Sequence, residues 1–161
     1  MKFTANAIAE ALTSAHGPFS RRRWFVVPNV SWGWGLRYEA DVIAVSAAGW
    51  ANEIEIKVNK YDLRGDKNKR KFKVAADNRI KRFWYAIPLE LLDEAMTCLP
   101  ADVGVITIVP GRWKTSNPVA TIVRSAENRK GARKVTDKEL QKLLHLGVMR
   151  YWDIRLKETE L

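Results

Sequence analysis

Three residues in the first half of the chain have the types and the spacing of a hydrolytic site. Asp41 stands at the start of one β-rich run, and Glu55 and Lys57 stand in a second run, separated by one apolar residue. Carboxylates can hold a hard divalent cation that stabilises charge on a phosphodiester, and a lysine beside them can position the attacking water. This layout is typical of metal-dependent nucleases. Cross-strand ion pairs would produce the same pattern, so these residues alone leave both interpretations open.

A β-hairpin is predicted to bring the three residues together. Residues 42–45 and 54–58 are rich in β-prone side chains, and the connection 47–49 between them ends in a glycine. The last position of a three-residue hairpin loop usually needs a positive φ, which glycine adopts without a steric clash. Pairing through this loop sets Ser46 opposite Trp50.

The same pairing sets Asp41 opposite Glu55. Directly opposed residues point to one face of a sheet with Cβ atoms roughly 5 Å apart, and Lys57 joins them because side chains two apart share a face. We therefore expect two carboxylates and one ammonium to converge, unless a bulge disturbs the pairing. Glu53 shares the predicted face as a possible additional acid, but only Glu55 has the required spacing to Lys57.

The charge of the chain favours a polyanionic partner. Its 161 residues include 28 Lys and Arg against 18 Asp and Glu, a formal net charge of +10. Residues 57–82 hold eleven basic residues and three acids, so much of the excess lies beside the predicted site. Phosphate binding is one interpretation of this flank, and a solvated basic helix is the other. The residues predicted to bind nucleic acid are Lys60, Arg64, Lys67, Lys69, Arg70, Lys71 and Lys73.

Cysteine and histidine content excludes several other kinds of site. Cys98 is the only cysteine, so an intramolecular disulfide and a cysteine-rich zinc site are both excluded. His16 and His145 are too few to favour a histidine-ligated metal or the usual nucleophilic triads. No run reaches the ~20 apolar residues of a membrane span, and the first residues lack a secretory signal pattern. We expect a cytoplasmic protein without membrane association, folded as a single domain over residues 1–161.

Hydrophobic periodicity predicts the remaining elements. Helices are predicted over 5–14, 60–81 and 89–96, and strands over 24–30, 83–87, 103–109 and 119–123. Pro28 cannot donate to a ladder, which places its strand at an edge or a bulge. The order is helix, three antiparallel strands, helix and strand, followed by additions.

A capping box predicts the start of a C-terminal helix. Thr136 and Glu139 can each accept the backbone N–H of the other. Four apolar residues follow at helical spacing and predict a face that packs on the body of the protein. They are Leu140, Leu143, Leu144 and Val148.

Two tryptophans, Trp32 and Trp34, lie in a glycine-rich segment that is predicted to be a loop. Aromatic rings in basic proteins either pack in the core or stack on unpaired bases. The sequence leaves both roles open for these two residues.

Taken together, these residues resemble the PD-(D/E)XK nuclease superfamily and, within it, the MmcB-like family associated with DNA repair. The resemblance spans roughly residues 36–109, and the N-terminal and C-terminal thirds match little. It is carried by Gly35-Leu36-Arg37 leading to Ala40-Asp41-Val42, Glu55-Ile56-Lys57, Asp62-Leu63 with Asp66, the run from Arg82 through Phe83-Trp84-Tyr85-Ala86-Ile87 to Pro88, and Leu99-Pro100 before Gly104-Val105-Ile106.

The resemblance implies both a fold and a set of ligands. The fold would be α/β (an α+β sandwich) with a restriction-endonuclease-like αβββαβ core, a mixed sheet flanked by helices, and an extra C-terminal strand and helix. Asp41, Glu55 and the Ile56 carbonyl would bind Mg²⁺ or Mn²⁺, and Lys57 would complete the catalytic set. Glu10 on the first helix is a further acid that could join them, against the alternative of a solvated helix residue.

The function implied is that of a Mg²⁺-dependent, endonuclease-like hydrolase acting on DNA, in DNA repair or in the processing of phage or mobile-element DNA. Two alternatives stay open: a non-catalytic nucleic-acid-binding module of the same fold, and a nuclease directed at RNA. Nothing in the sequence separates DNA from RNA, and a homodimer is a further possibility.

Overall fold

The computed structural model of the protein describes residues 3–66, 78–112 and 117–159. Short 3₁₀ turns at Trp32–Trp34 and Leu89–Leu91 supplement the regular elements. In chain order these are α1 (Ala5–Thr13), β1 (Trp24–Val30), β2 (Ala40–Ser46), β3 (Ala51–Ile56), α2 (Lys60–Gly65), β4 (Ile80–Pro88), α3 (Leu92–Cys98), β5 (Gly104–Val109), β6 (Val119–Arg124) and α4 (Asp137–Thr159).

The strands form one mixed six-stranded sheet in the order β1-β2-β3-β4-β5-β6. The β3–β4 and β4–β5 pairs are parallel, and the other three pairs are antiparallel. Helices flank this sheet, so the predicted α+β class and the αβββαβ order are confirmed. Pro28 lies on β1, an edge strand, as its missing N–H requires.

The β2–β3 hairpin has the predicted register. Ser46 N–H donates to the Trp50 carbonyl at 3.0 Å, and Val42 pairs with Ile54 further along the ladder. Gly49 closes the loop with a φ of 83°, a conformation that costs a residue with a Cβ about 1–2 kcal/mol. This turn therefore fixes which residues of β2 and β3 face the same way.

The two faces of the sheet are covered differently. On the first face, α1 buries Ile8 and Leu12 against side chains of β2, β3, β4 and β5. On the second face, two separate apolar clusters form, one under α4 and the 3₁₀ turn at Trp32–Trp34, and the other under α2 and α3. The first of these clusters includes Ile43, Val45 and Ala51 of β2 and β3. The second includes Phe83, Tyr85, Ile87 and Val105 of β4 and β5.

The start of α4 is held by the predicted capping box. Thr136 N–H donates to Glu139 Oε2 at 2.9 Å, and Glu139 N–H donates to Thr136 Oγ1 at 3.3 Å. Trp34 is buried and donates its indole N–H to the Glu139 carbonyl at 2.9 Å, while Arg79 lies over its ring. Trp34 thus belongs to the core, whereas Trp32 is exposed.

The structure corrects two sequence expectations. The predicted helix over 60–81 is wrong at its end, because α2 stops at Gly65, residues 67–77 lie outside the described residues, and β4 already begins at Ile80. The predicted packing face of α4 is also wrong in part: Leu140 and Leu143 pack on the body, but Leu144 and Val148 are exposed. Among the described residues, no helix is long and apolar enough to cross a membrane.

Candidate active site

The candidate site lies where β2 and β3 separate. β2 pairs with β1 as far as Val30 and Ala40, but its ladder with β3 ends at Val42 and Ile54. Beyond that point, the Ile56 N–H donates to Asp41 Oδ2 at 2.7 Å. The half-buried Asp41 carboxylate therefore takes the place of a backbone acceptor and lies directly beside the peptide that follows Glu55.

Glu55 and Lys57 form a buried ion pair at the end of β3. Lys57 Nζ donates to Glu55 Oε1 at 2.8 Å, and the two residues are 8% and 4% exposed. The Lys57 N–H donates to the Ala86 carbonyl at 3.1 Å, which fixes its backbone against β4. The structure thus brings Asp41, Glu55 and Lys57 together, as their spacing predicts.

A third carboxylate, Asp66, completes the surroundings of Lys57. It follows α2 directly, is fully buried, and places Oδ2 at 3.3 Å from Lys57 Nζ. The same oxygen accepts a hydrogen bond from the Tyr85 hydroxyl at 3.0 Å. Lys57 is therefore shared between Glu55 and Asp66, and Tyr85 anchors Asp66 to the sheet.

Glu53 lies deeper on the same face. It is opposite Ile43, whose side chain belongs to the second face, and it is fully buried. The half-buried Tyr38, which precedes β2, donates its hydroxyl to Glu53 Oε2 at 2.6 Å. The acidic residues of this face are thus Asp41, Glu53, Glu55 and Asp66, and they lie between the two apolar clusters of the second face.

Burial and the neighbouring acids shift two pKa values in this region. Burial alone would lower the pKa of Lys57, but the hydrogen bond and charge of Glu55, together with the charge of Asp66, outweigh it and raise that pKa. Burial also raises the pKa of Tyr85, and the adjacent Asp66 raises it further. Lys57 is therefore charged and the Tyr85 phenol is neutral at physiological pH.

Other residues predicted for the site lie elsewhere. Glu10 is exposed on α1, which covers the first face of the sheet, so the structure does not bring it to Asp41 and Glu55. Lys60 is exposed on α2, and Arg64 makes a two-pronged ion pair with Glu94 of α3 at 2.6 and 2.8 Å. Five of the residues predicted to bind nucleic acid, Lys67, Lys69, Arg70, Lys71 and Lys73, lie outside the described residues.

Sequence reasoning did not assign Asp66 and Tyr85 to the site. Both residues belong to segments that carry the family resemblance, and Tyr85 also lies in a β-prone run, but neither was given a role. The parallel β3–β4 register sets Tyr85 beside Glu55, and no local pattern gives that register. A buried tyrosine does need a partner for its hydroxyl, which is the one signal that could have pointed to an acid nearby.

The oxygen atoms at the candidate site are of the kind that binds a hard cation. Asp41, Glu55 and a backbone carbonyl offer oxygen ligands, which Mg²⁺ prefers, and Mg²⁺ usually keeps several waters in addition. In the described part of the chain, no group of three or more His, Cys, Asp and Glu side chains is arranged as a metal site. Of the two Glu55 carboxylate oxygens, Oε1 contacts the Lys57 ammonium at 2.8 Å, so a cation at Asp41 and Glu55 would share the Glu55 carboxylate with Lys57 or replace it.

Comparisons with known proteins identify the fold. No protein-family model and no curated protein sequence matches this chain. Among solved structures, it is similar to the SPO1766 protein of unknown function from Silicibacter pomeroyi, with a TM-score of 0.62 and 18% identity over 99% of this chain and 94% of that one. At this identity, the similarity shows that the two chains share a mixed-sheet α+β fold.

Proposed function

We propose that this protein is a metal-dependent hydrolase of phosphodiester bonds in DNA, of the PD-(D/E)XK type. The observation that carries the proposal is the convergence of Asp41, Glu55 and Lys57 where β2 and β3 separate. The αβββαβ order supports it, because the resemblance implies that order with the acid on the second strand and Glu-x-Lys on the third. The single cysteine agrees with the cytoplasmic location that is part of the proposal.

In this proposal, Asp41, Glu55 and the Ile56 carbonyl would hold Mg²⁺ or Mn²⁺. The bound cation would stabilise the negative charge that develops on the phosphate oxygens and lower the pKa of a water molecule. Asp41 is oriented for this role by the Ile56 N–H, which holds Asp41 Oδ2 2.7 Å from the backbone nitrogen that follows Glu55.

Lys57 would orient the attacking water and offset charge on the phosphate. Its ammonium contacts both Glu55 and Asp66, so it keeps a counter-charge when Glu55 turns to a cation. Asp66 would thus act as a positioning residue for Lys57, and Tyr85 would hold Asp66 in place. A residue that is fixed before the reaction begins needs no reorganisation during it, which is how preorganised groups lower a barrier.

A cleavage assay tests this function. Wild type would be incubated with Mg²⁺ or Mn²⁺ and single-stranded, duplex, flapped and junction DNA, alongside matched RNA. We expect Asp41→Ala, Glu55→Ala and Lys57→Ala each to lower the rate by on the order of 10²-fold or more. Glu10→Ala is the matched control, since it removes an acid from the opposite face and should retain full activity. Cleavage that survives all three site substitutions would contradict the proposal.

A second measurement does not depend on activity. A cation that binds only the folded state stabilises it by about 2.7 kcal/mol at one hundred times its Kd. Mg²⁺ or Mn²⁺ should therefore raise the melting temperature of wild type and of Glu10→Ala, but not of Asp41→Ala. Equal shifts in all three proteins would place the cation at another site.

The alternative function is a nucleic-acid-binding module of the same fold that does not cleave. The observation that favours it is the Glu55–Lys57–Asp66 network, in which both buried carboxylates already have the Lys57 ammonium as a partner without a metal ion. This alternative predicts that wild type binds nucleic acid as tightly as Asp41→Ala and cleaves none of the substrates in either metal.

A further inference from the structure

A basic loop, residues 129–135, is held against the first residues of β4. This end of β4 lies away from the candidate site. Arg129 N–H donates to the Lys81 carbonyl at 2.8 Å, and Arg133 N–H donates to the Asn78 carbonyl at 2.7 Å. The Val135 N–H then donates to the Gly49 carbonyl at 2.9 Å, which ties the loop to the β2–β3 hairpin. These backbone bonds hold the side chains of the loop next to the first residues of β4.

Two lysines meet on the ring of Trp50 at this end of the sheet. Lys81 Nζ lies 3.7 Å from the ring centroid, and Lys134 Nζ lies 5.7 Å from it. Lys81 is the extra residue of a β-bulge, because Ala51 pairs with Ile80 while the next residue of β3 pairs with Arg82. Bulges redirect side chains, and this one presents Lys81 to the half-buried Trp50.

The cations around Trp50 have no acidic partners in the described part of the chain. No carboxylate described lies within ion-pair distance of them, whereas Arg133 pairs with Glu139 at 2.6 Å and Arg64 pairs with Glu94. We call this region the Trp50 surface. Its members are Trp50, Lys81 and Lys134, all of them partly or fully exposed, whereas Arg129 lies over the Phe83 ring on the second face of the sheet, 5.4 Å from its centroid.

We propose that the Trp50 surface binds the phosphate backbone of a nucleic acid, as a second contact remote from the candidate active site. Like charges gathered without acids create a positive potential that attracts polyanions. The lysines cover the Trp50 ring, so the contacts would be to phosphates and not to stacked bases. A membrane surface fits less well, since the apolar ring at the centre of the patch, Trp50, is covered by the ammonium groups of Lys81 and Lys134.

The Trp50 surface and the candidate site lie at opposite ends of β4. Lys81 and Ala86, the partner of Ile56, are five residues apart on β4, or about 17 Å at 3.3 Å per residue. The proposal rests on the proposed function in naming the ligand as the substrate of the same protein.

The test is nucleic-acid binding against salt in the presence of a chelator, so that no cleavage occurs. Fluorescence anisotropy with a labelled duplex of about 20 base pairs would compare wild type with Lys81→Gln/Lys134→Gln, and each lost phosphate contact should lower the log-log salt slope by about 0.9. The charge-matched control is Lys142→Gln/Lys157→Gln on exposed positions of α4, which should keep the wild-type slope. Lys81→Arg/Lys134→Arg should keep it as well.

The outcomes separate this proposal from the proposed function. A slope that falls only in the Lys81/Lys134 glutamine variant supports the surface, even if wild type cleaves nothing in the metal-dependent assay. A slope equal to wild type, an equal fall in the α4 control, or no binding by wild type overturns it. Binding to phosphatidylserine vesicles that depends on these lysines, without an effect on DNA, would also overturn it.

Discussion

The two ends of the β3–β4 pair carry charge in opposite ways. At the end that holds the candidate site, Lys57 is buried between Glu55 and Asp66, and a tyrosine fixes the second of these acids. At the other end, Lys81 and Lys134 share an aromatic ring, and no carboxylate in the described residues pairs with either of them.

Solvent exposure explains the difference. A buried charge loses its hydration, so it persists only with a partner of opposite charge and with satisfied hydrogen bonds. Exposed cations keep their hydration, and the high dielectric constant of water weakens the repulsion between them, so they can remain without an acidic partner until an external anion binds. The buried lysine of the candidate site is therefore paired with acids of the fold itself, whereas the lysines of the Trp50 surface are left for an external anion.

The largest expected effect comes from removing the ammonium group of Lys57 from the candidate site. Lys57→Met should destabilise the protein by about 3–5 kcal/mol, because it leaves two buried acids without a counter-charge. Chemical denaturation would measure the loss. Arg64→Met, which breaks the exposed pair with Glu94, is the matched control and should have a far smaller effect. Similar losses in both variants would mean that burial does not distinguish the two pairs.

The second-largest loss of stability is expected from a substitution of Asp66. Asp66→Asn keeps the shape of the side chain and can still accept a hydrogen bond from the Tyr85 hydroxyl. Because Lys57 loses one of its two charged partners, we expect the protein to be destabilised by about 2–3 kcal/mol. Tyr85→Phe removes only a hydrogen bond and should cost about 1 kcal/mol. Denaturation curves of the two variants would rank them. The reverse order would show that the hydroxyl, and not the charge, fixes this part of the pocket.

The start of α4 offers an intermediate case, in which a partly exposed acid is balanced. The hydrogen bonds from Arg133 lower the pKa of Glu139 to about 2, and those from Thr136 add to the shift. A lowered pKa contributes stability above the ordinary pKa of about 4.5, and this contribution is lost as pH falls towards about 2. We expect Glu139→Gln to cost about 1–2 kcal/mol at neutral pH, and less at acid pH.

The free energy of unfolding of Glu139→Gln and of wild type, measured at neutral and acid pH, tests the direction of this pH dependence. Glu158→Gln is the control on the same helix, because its pair with Arg155 is exposed and 3.5 Å long. A difference for Glu139→Gln that grows as pH falls would contradict the assigned cause of its pKa.

The sequence predicted the features that depend on neighbouring residues. The Gly49 loop gave the β2–β3 register, and the Thr136–Glu139 capping box gave the start of α4. Both succeed because the physical cause lies within a few residues of the feature. The convergence of Asp41, Glu55 and Lys57 followed from that one register, so most of the candidate pocket could be predicted.

What the sequence did not predict depends on distant parts of the chain. Asp66 meets Lys57 only because α2 ends beneath β4, and Tyr85 meets Asp66 only through a parallel pairing. α4 shows the same limit, since periodicity marks apolar positions but does not say which of them the body of the protein covers. Val148 is exposed because it lies on another face of α4: a Cβ at its neighbour Gly147 would lie 3.3 Å from Val27 of β1, and Arg150 donates to the Asn29 carbonyl at 2.7 Å.

The smallest expected effect tests the exposed end of the comparison. Lys81→Gln/Lys134→Gln removes two cation–π contacts, each worth about 0.5–1 kcal/mol when exposed, and also removes the repulsion between the two lysines. These contributions oppose each other, so the free energy of unfolding should change by no more than about 0.5 kcal/mol. Salt weakens the repulsion between the two lysines of wild type. The free energy of unfolding of the variant, relative to that of wild type, should therefore be highest in low salt. Denaturation in low and high salt measures this, with Lys142→Gln/Lys157→Gln as the control. A loss as large as that of Lys57→Met would show that the Trp50 surface holds the fold together, and the contrast between the two ends would fail.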